Sequence, residues 1–281
     1  MKRLSLGILA ILGCPCFAAP TATPPNPQFK PEIDQAFSQL YSSNFAAAQT
    51  TLDHYIAEHP NDSVAYSVKG AGYLFSELER LGILEADFFQ DDRRISDKKK
   101  LKPDPQVRQE FYAAIGSAQS LSKNVLATNP NDTNALFGKT LALGSLTDYT
   151  ALIEKKQFQS LSINKEGYRS AKKLLEISPE FYDAHLSTGF TEYIIGSIPV
   201  VFRWLVKFDD VQGDKNAGVR NLQLVAEKGH YLKPFAKILL ATAFIRDKHP
   251  RDAQKILQEL TQAYPQNAML KRELDRISGA M

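Results

Sequence analysis

The residues able to do chemistry in this chain stand apart from one another. The histidines are His54, His59, His185, His230 and His249. No two of them sit four apart with a glutamate between, the spacing by which a helix presents a zinc site and its general base. His59, His230 and His249 fall at expected helix ends, where an imidazole meets the C-terminal dipole. No Gly-x-Ser-x-Gly elbow lifts a nucleophilic serine onto a strand-to-helix turn. Gly213-Asp214-Lys215 follows no strand, so it is not a phosphate loop, and Asp214 reads as the cap of the next helix. Cys14 and Cys16 are the only cysteines, and Pro15 alone separates them where a redox pair has two residues. The sequence therefore predicts no catalytic residue, no metal site, no cofactor and no enzyme.

Two segments carry chemistry of recognition instead. In Ile83–Pro105, Phe88-Phe89 precede Asp91-Asp92-Arg93-Arg94, then Lys98-Lys99-Lys100 and Lys102. A long insertion between helices is where specificity commonly sits, and the same composition also suits a solvated loop. Its lysines offer an anionic surface about 1 kcal/mol each. The second segment, Tyr193–Phe208, is strongly apolar, with Arg203 and Lys207 its only charges. Pro199 breaks it, and it is shorter than the roughly 20 residues that span a bilayer. Burial between neighbouring helices is one reading. An exposed patch with Phe202, Arg203 and Trp204 as interface anchors is the other.

The start of the chain reads as a leader. Lys2 and Arg3 precede an apolar run, Leu4–Leu12, and Cys16-Phe17-Ala18 ends on a small residue. That is the pattern of a signal peptide over 1–18, cleaved near Ala18, and it predicts an exported, periplasmic protein. Ile11-Leu12-Gly13-Cys14 also resembles a bacterial lipobox, which leaves a lipoprotein anchored through Cys14 as the alternative. Residues 19–31 form a linker stiffened by Pro20, Pro24, Pro25, Pro27 and Pro31. A formal net charge of only +3 gives no field directed at nucleic acid.

These segments need elements to hold them, and from residue 32 onward the elements are helices. Apolar residues recur three or four apart without alternating β-branched runs. The same terminator returns as His59-Pro60-Asn61-Asp62, Asn129-Pro130-Asn131-Asp132, Ser178-Pro179-Glu180 and Tyr264-Pro265-Gln266-Asn267. Proline ends one helix and the polar residue after it caps the next. Small residues recur in register, among them Ala36, Ala48, Gly70, Ala118, Ala171, Gly189, Gly218 and Ala253.

On these residues the chain resembles the tetratricopeptide repeat (TPR) family, whose helix pairs of about 34 residues keep small residues at close crossings and a proline at the end. The outer pairs fit best. The middle ones are longer, and the signature Trp is missing from every pair. The implied fold is all-α, a TPR-like α-solenoid of antiparallel helix pairs with two long insertions. The approximate units are 32–62, 63–132, 133–181, 182–232 and 233–267, with a polar capping helix over 268–277. The chain also looks like a group of exported TPR proteins of Gram-negative bacteria. These share Gly196-Ser197-Ile198-Pro199, Trp204 and Gly213-Asp214-Lys215-Asn216-Ala217-Gly218. The resemblance implies a protein or peptide partner held in an inner groove lined by Asn134, Phe137, Phe190 and Tyr193. Peripheral membrane contact, through the lysine loop 93–102 and segment 193–208, is the other expectation.

Overall fold

The computed structural model describes residues 26–83, 102–198 and 213–279, and all regular structure among them is helical. The helices pair in chain order. α1 (Pro31–Tyr41) pairs with α2 (Phe45–Glu58), α3 (Ser63–Arg80) with α4 (Pro105–Thr128), and α5 (Thr133–Asp148) with α6 (Gln157–Ile177). α7 (His185–Ser197) pairs with α8 (Lys215–Lys228), α9 (Lys233–Arg246) with α10 (Pro250–Ala263), and α11 (Ala268–Gly279) closes the order. The second helix of each pair packs on the first helix of the next, so the pairs stack as a solenoid. The first helices line its inner side, and α3 packs along both α1 and α5.

The terminators work as their residue types dictate. The C-caps His59, Asn129, Ser178 and Tyr264 are each followed by a proline, which has no N–H to continue the ladder. Asp62 then accepts from the Val64 N–H at 3.0 Å, Asp132 from Ala135 at 2.8 Å and Asn267 from Leu270 at 3.1 Å. Asp214 caps α8 through the N–H groups of Asn216 and Ala217. The chain departs from this pattern between α5 and α6, where a π-helical turn, Tyr149–Ile153, extends the connection. It departs again before α7, where a 3-10 turn, Tyr182–Ala184, replaces the cap.

The small residues mark the second helices. Ala48, Ala118, Ala171 and Ala253 lie on α2, α4, α6 and α10 and are wholly buried, and Gly218 takes the same role on α8. In four pairs a leucine follows four residues on: Leu52, Leu222 and Leu257 are buried and Leu175 is partly buried. The small side chain lets two helix backbones approach and the leucine fills the space beside it. In α4 that later place holds Ser122, whose buried hydroxyl has no hydrogen-bond partner among the described residues.

Periodicity on α1 alone does not show what the helix does. One stripe, Ile33, Ala36 and Leu40, is buried toward α2 and α3. A second stripe, Asp34, Phe37 and Tyr41, reaches the C-terminal pairs. Phe37 stacks on Tyr231 with ring centroids 5.0 Å apart. The Tyr41 hydroxyl donates to the Tyr231 carbonyl at 2.9 Å, and Asn267 donates to the Tyr41 carbonyl at 2.9 Å. One continuous core consequently runs from Ile33 on α1 to Leu240 on α9. The solenoid is closed end against end.

The close crossing on α10 is directly testable. Ala253→Leu is expected to lower unfolding free energy by about 1–3 kcal/mol through overpacking. Urea unfolding of the two chains measures the difference, and an unchanged midpoint would contradict the packing described for α10.

Candidate functional site

The inner side of the solenoid is where an open groove is expected, and part of it is taken up by the chain's own aromatic residues. Phe137, on α5, is 1% exposed. Phe181 meets it edge-on at 4.7 Å and Tyr231 lies parallel at 6.0 Å. Phe190 is partly buried against the same core. Tyr193 is buried on α7, with the Lys215 ammonium 5.7 Å from its ring centroid. Asn134 donates to Asp62 at 3.2 Å. Phe202, Arg203 and Trp204 lie outside the described residues, as do residues 1–25 and most of the lysine loop. Phe137 is thus a core residue, while Asn134 and Phe190 are partly exposed.

Asp62 is the polar hub of this side. Besides capping α3 it accepts from the Lys30 ammonium at 2.5 Å and the Tyr55 hydroxyl at 2.8 Å. Burial raises its carboxyl, but Lys30 and these hydrogen bonds outweigh burial and hold it below the usual carboxylate range. Asp183 is a second buried carboxylate. It accepts three backbone N–H groups, from His230, Tyr231 and Leu232, at 2.9, 3.0 and 3.1 Å. Those are the residues that lead into α9, so one side chain of the fourth pair sets the fifth in place. Asp148 is different. Burial alone pushes its carboxyl up to about 7, and it has no hydrogen-bond or ion-pair partner among the described residues.

The histidines take roles that helix-end placement does not anticipate. His59 stacks on Tyr55 with centroids 4.3 Å apart, as befits the end of α2. His249, by contrast, is the N-cap residue of α10, at the positive end of a helix. His230 turns away from the end of α8 and places Nε2 2.6 Å from Asp34. Among the described residues no cluster of three His, Cys, Asp or Glu side chains is arranged to hold a metal ion.

One edge of the stack carries both insertions. In a solenoid of hairpins the turns inside the pairs share an edge. On this edge stand the ends of both insertions, which leave α3 and α7 and rejoin at α4 and α8. The first insertion has a pinned base. Glu77, 1% exposed, takes Arg80 in a two-point ion pair and accepts from the Asp104 N–H at 2.8 Å. Arg80 also donates to the Lys102 carbonyl at 2.8 Å.

The second base is made of glycines. A methyl group at Gly218 would fall 2.5 Å from the Tyr193 nitrogen and 2.6 Å from the Gly189 carbonyl oxygen. One at Gly196 would collide with the Lys215 backbone. Gly213 has φ of +64°, in the region that favours glycine. Lys215 then ties this base to Asp247 at 2.5 Å. The glycines of the Gly-Ser-x-Pro and Gly-Asp-Lys-x-x-Gly stretches therefore serve to bring α7 and α8 into backbone contact.

Between the two bases lies the turn of the third pair. There Glu154 accepts from Arg108 and Tyr112, both at 2.9 Å, and from Lys156 at 2.8 Å. Burial pushes the Tyr112 hydroxyl up to about 12, and its bond to Glu154 pushes the same way. Just beyond this turn Phe158, in the first turn of α6, is 86% exposed. It is a large apolar side chain left in water at the centre of this edge. Sequence reading misses it, because a lone Phe on a helix reads as core.

This geometry defines a class: an all-α, TPR-like solenoid of antiparallel pairs with two insertions on one edge. Neither a family model nor a curated protein sequence matches the chain. Among solved structures it is similar to a thermophilic TPR protein of Thermus thermophilus, at 14% identity and a TM-score of 0.46. That match covers 87% of this chain and 96% of the other. The architecture above rests on this chain's own helices and contacts.

Three substitutions test the bases and caps. Gly218→Val is expected to destabilise by about 3 kcal/mol or more, because backbone atoms cannot yield to it. Gly116→Ala, where a methyl group meets nothing within 4 Å, is expected to stabilise by about 0.5–1 kcal/mol. Equal effects in chemical denaturation would contradict the close crossing of α7 and α8. For Asp62, the folded carboxyl is held below its unfolded value, so its stabilisation is present above about pH 4 and is lost as pH falls through the folded value. Asp62→Asn is therefore expected to lower stability by about 1–3 kcal/mol at pH 7. The gap to the parent chain should narrow as pH falls through the folded value, the direction the linkage requires, and a gap independent of pH would contradict it.

Proposed function

We propose that this protein is a non-enzymatic scaffold of the cell envelope that binds a protein partner along the edge carrying its two insertions. The observation that carries this reading is the self-filled inner face. Phe137, Phe181 and Tyr231 pack on one another, so this part of the inner face is committed to the chain's own core. The edge offers two insertions on fixed bases, with exposed Phe158 between them. Fixed bases lower the ordering cost of presenting a segment to a partner. The sequence of the second insertion supplies Phe202, Arg203 and Trp204, residue types that dominate the energetics of protein interfaces. The location follows from the leader-like sequence over residues 1–18, which supports export.

Crosslinking in the native envelope, followed by affinity purification, tests the reading. The full chain is expected to recover one partner in stoichiometric amount. A Phe158→Ala, Trp204→Ala chain is expected to lose most of it, at least about tenfold, as removing two anchors of about 1 kcal/mol or more implies. Recovery unaffected by the substitutions would contradict the edge assignment. Binding to anionic vesicles with no protein recovered would replace the scaffold by a membrane-associated protein.

A further inference from the structure

The ion pairs on the edge between the insertions all point the same way. The side chains of Arg80, Arg108 and Lys156 are 48%, 48% and 54% exposed, while their partners Glu77 and Glu154 are 1% and 10% exposed. The carboxylates lie inward and the cations face water. These groups are neighbours through the backbone. Glu77 accepts from the Asp104 N–H, and the Asp104 carbonyl accepts from the Arg108 N–H at 2.9 Å. The Asp104 side chain is spent on the cap of α4, where Gln106 and Val107 donate to it. Arg108 and Lys156 share Glu154, and exposed Phe158 stands two residues further along. Each guanidinium is held without being used up. Arg80 gives Nε and Nη2 to Glu77 and the Lys102 carbonyl. Arg108 gives Nη2 to Glu154, and the Tyr112 ring lies 4.8 Å from its central carbon. With five N–H donors on each guanidinium, both keep donors for an acceptor arriving from outside.

We propose that the partner segment seated on this edge is acidic: its carboxylates take the outward faces of Arg80, Arg108 and Lys156, and one of its apolar side chains covers Phe158. The inference rests on the edge being the binding surface and adds the chemistry of what binds there. A planar guanidinium takes a carboxylate by two N–H bonds at a time. Holding that guanidinium in place beforehand lowers the ordering cost of binding. An anionic membrane surface suits these groups less well. It draws on many cations and a broad apolar face, and here a few fixed cations adjoin a single phenylalanine.

A photo-crosslinking phenylalanine analogue in place of Phe158 tests this, in the full chain and in isolated native envelopes. The crosslinked partner peptides, read by mass spectrometry, are expected to carry more Asp and Glu than Lys and Arg. Raising NaCl from about 0.05 M to about 0.5 M shortens the screening length roughly threefold and is expected to cut the yield at least about fivefold. Arg108→Gln, Lys156→Gln is expected to cut the yield similarly at low salt, with circular dichroism as the check on its fold. The salt series on the chain with both cations intact decides the matter whether or not that variant folds. A neutral or basic partner segment, or a yield indifferent to salt, would overturn the acidic partner and leave the edge as the binding surface. Adducts on phospholipid alone would put a membrane in place of the protein segment. No adduct at all would overturn the edge and this inference together.

Discussion

The stacking of Phe37 on Tyr231 is the contact on which this architecture turns. It joins residues almost two hundred positions apart and makes a linear stack into a closed one. Around it the polar bonds fall into place. The Tyr231 hydroxyl accepts from the Lys30 N–H, its carbonyl accepts from Tyr41, and its N–H goes to Asp183. Burial pushes the hydroxyls of Tyr41 and Tyr231 far above the ordinary tyrosine range, so both remain protonated hydrogen-bonding groups. A repeat array is ordinarily stabilised by contacts between neighbours alone. Here the first and fifth pairs add a contact across the axis.

An open solenoid displays its inner face, whereas this one commits its inner aromatics to its own core. The two insertions are rooted on one edge, the surface proposed to meet a partner. The roots use different physics for the same end. One is an ion pair of buried Glu77 with Arg80 that captures backbone groups at 102 and 104. The other is a seam of glycines that brings two helices into backbone contact.

Much of the fold is legible in the sequence because local rules decide it. Pro60, Pro130, Pro179 and Pro265 mark helix ends. Asp62, Asp132 and Asn267 cap the next helix after three of these prolines, Asp214 caps α8, and Ala48, Ala118, Ala171 and Ala253 mark close crossings. Each signal lies within a few residues of the feature it controls. The closure is not legible that way. Phe37 and Tyr41 read as one more apolar face of an amphipathic helix, and nothing local distinguishes a face packed on α2 from one packed on the far end of the chain. The same gap misplaces Phe137, which periodicity correctly puts on the inner side but which closure buries. His230 reads as a helix-end residue, yet its partner Asp34 comes from the opposite end of the sequence. Phe158 escapes because exposure of a single aromatic depends on what fails to cover it.

The central claim is that the two ends of the solenoid touch. Dipolar distance measurement between spin labels at the exposed positions Ser38 and Gln266, with Cys14 and Cys16 replaced by serine, tests it most directly. A closed solenoid predicts one narrow distribution at short distance, since Asn267 bonds the Tyr41 carbonyl three residues from the first label. A broad distribution centred at long distance would mean that the stack is open and that Phe37 and Tyr231 do not meet.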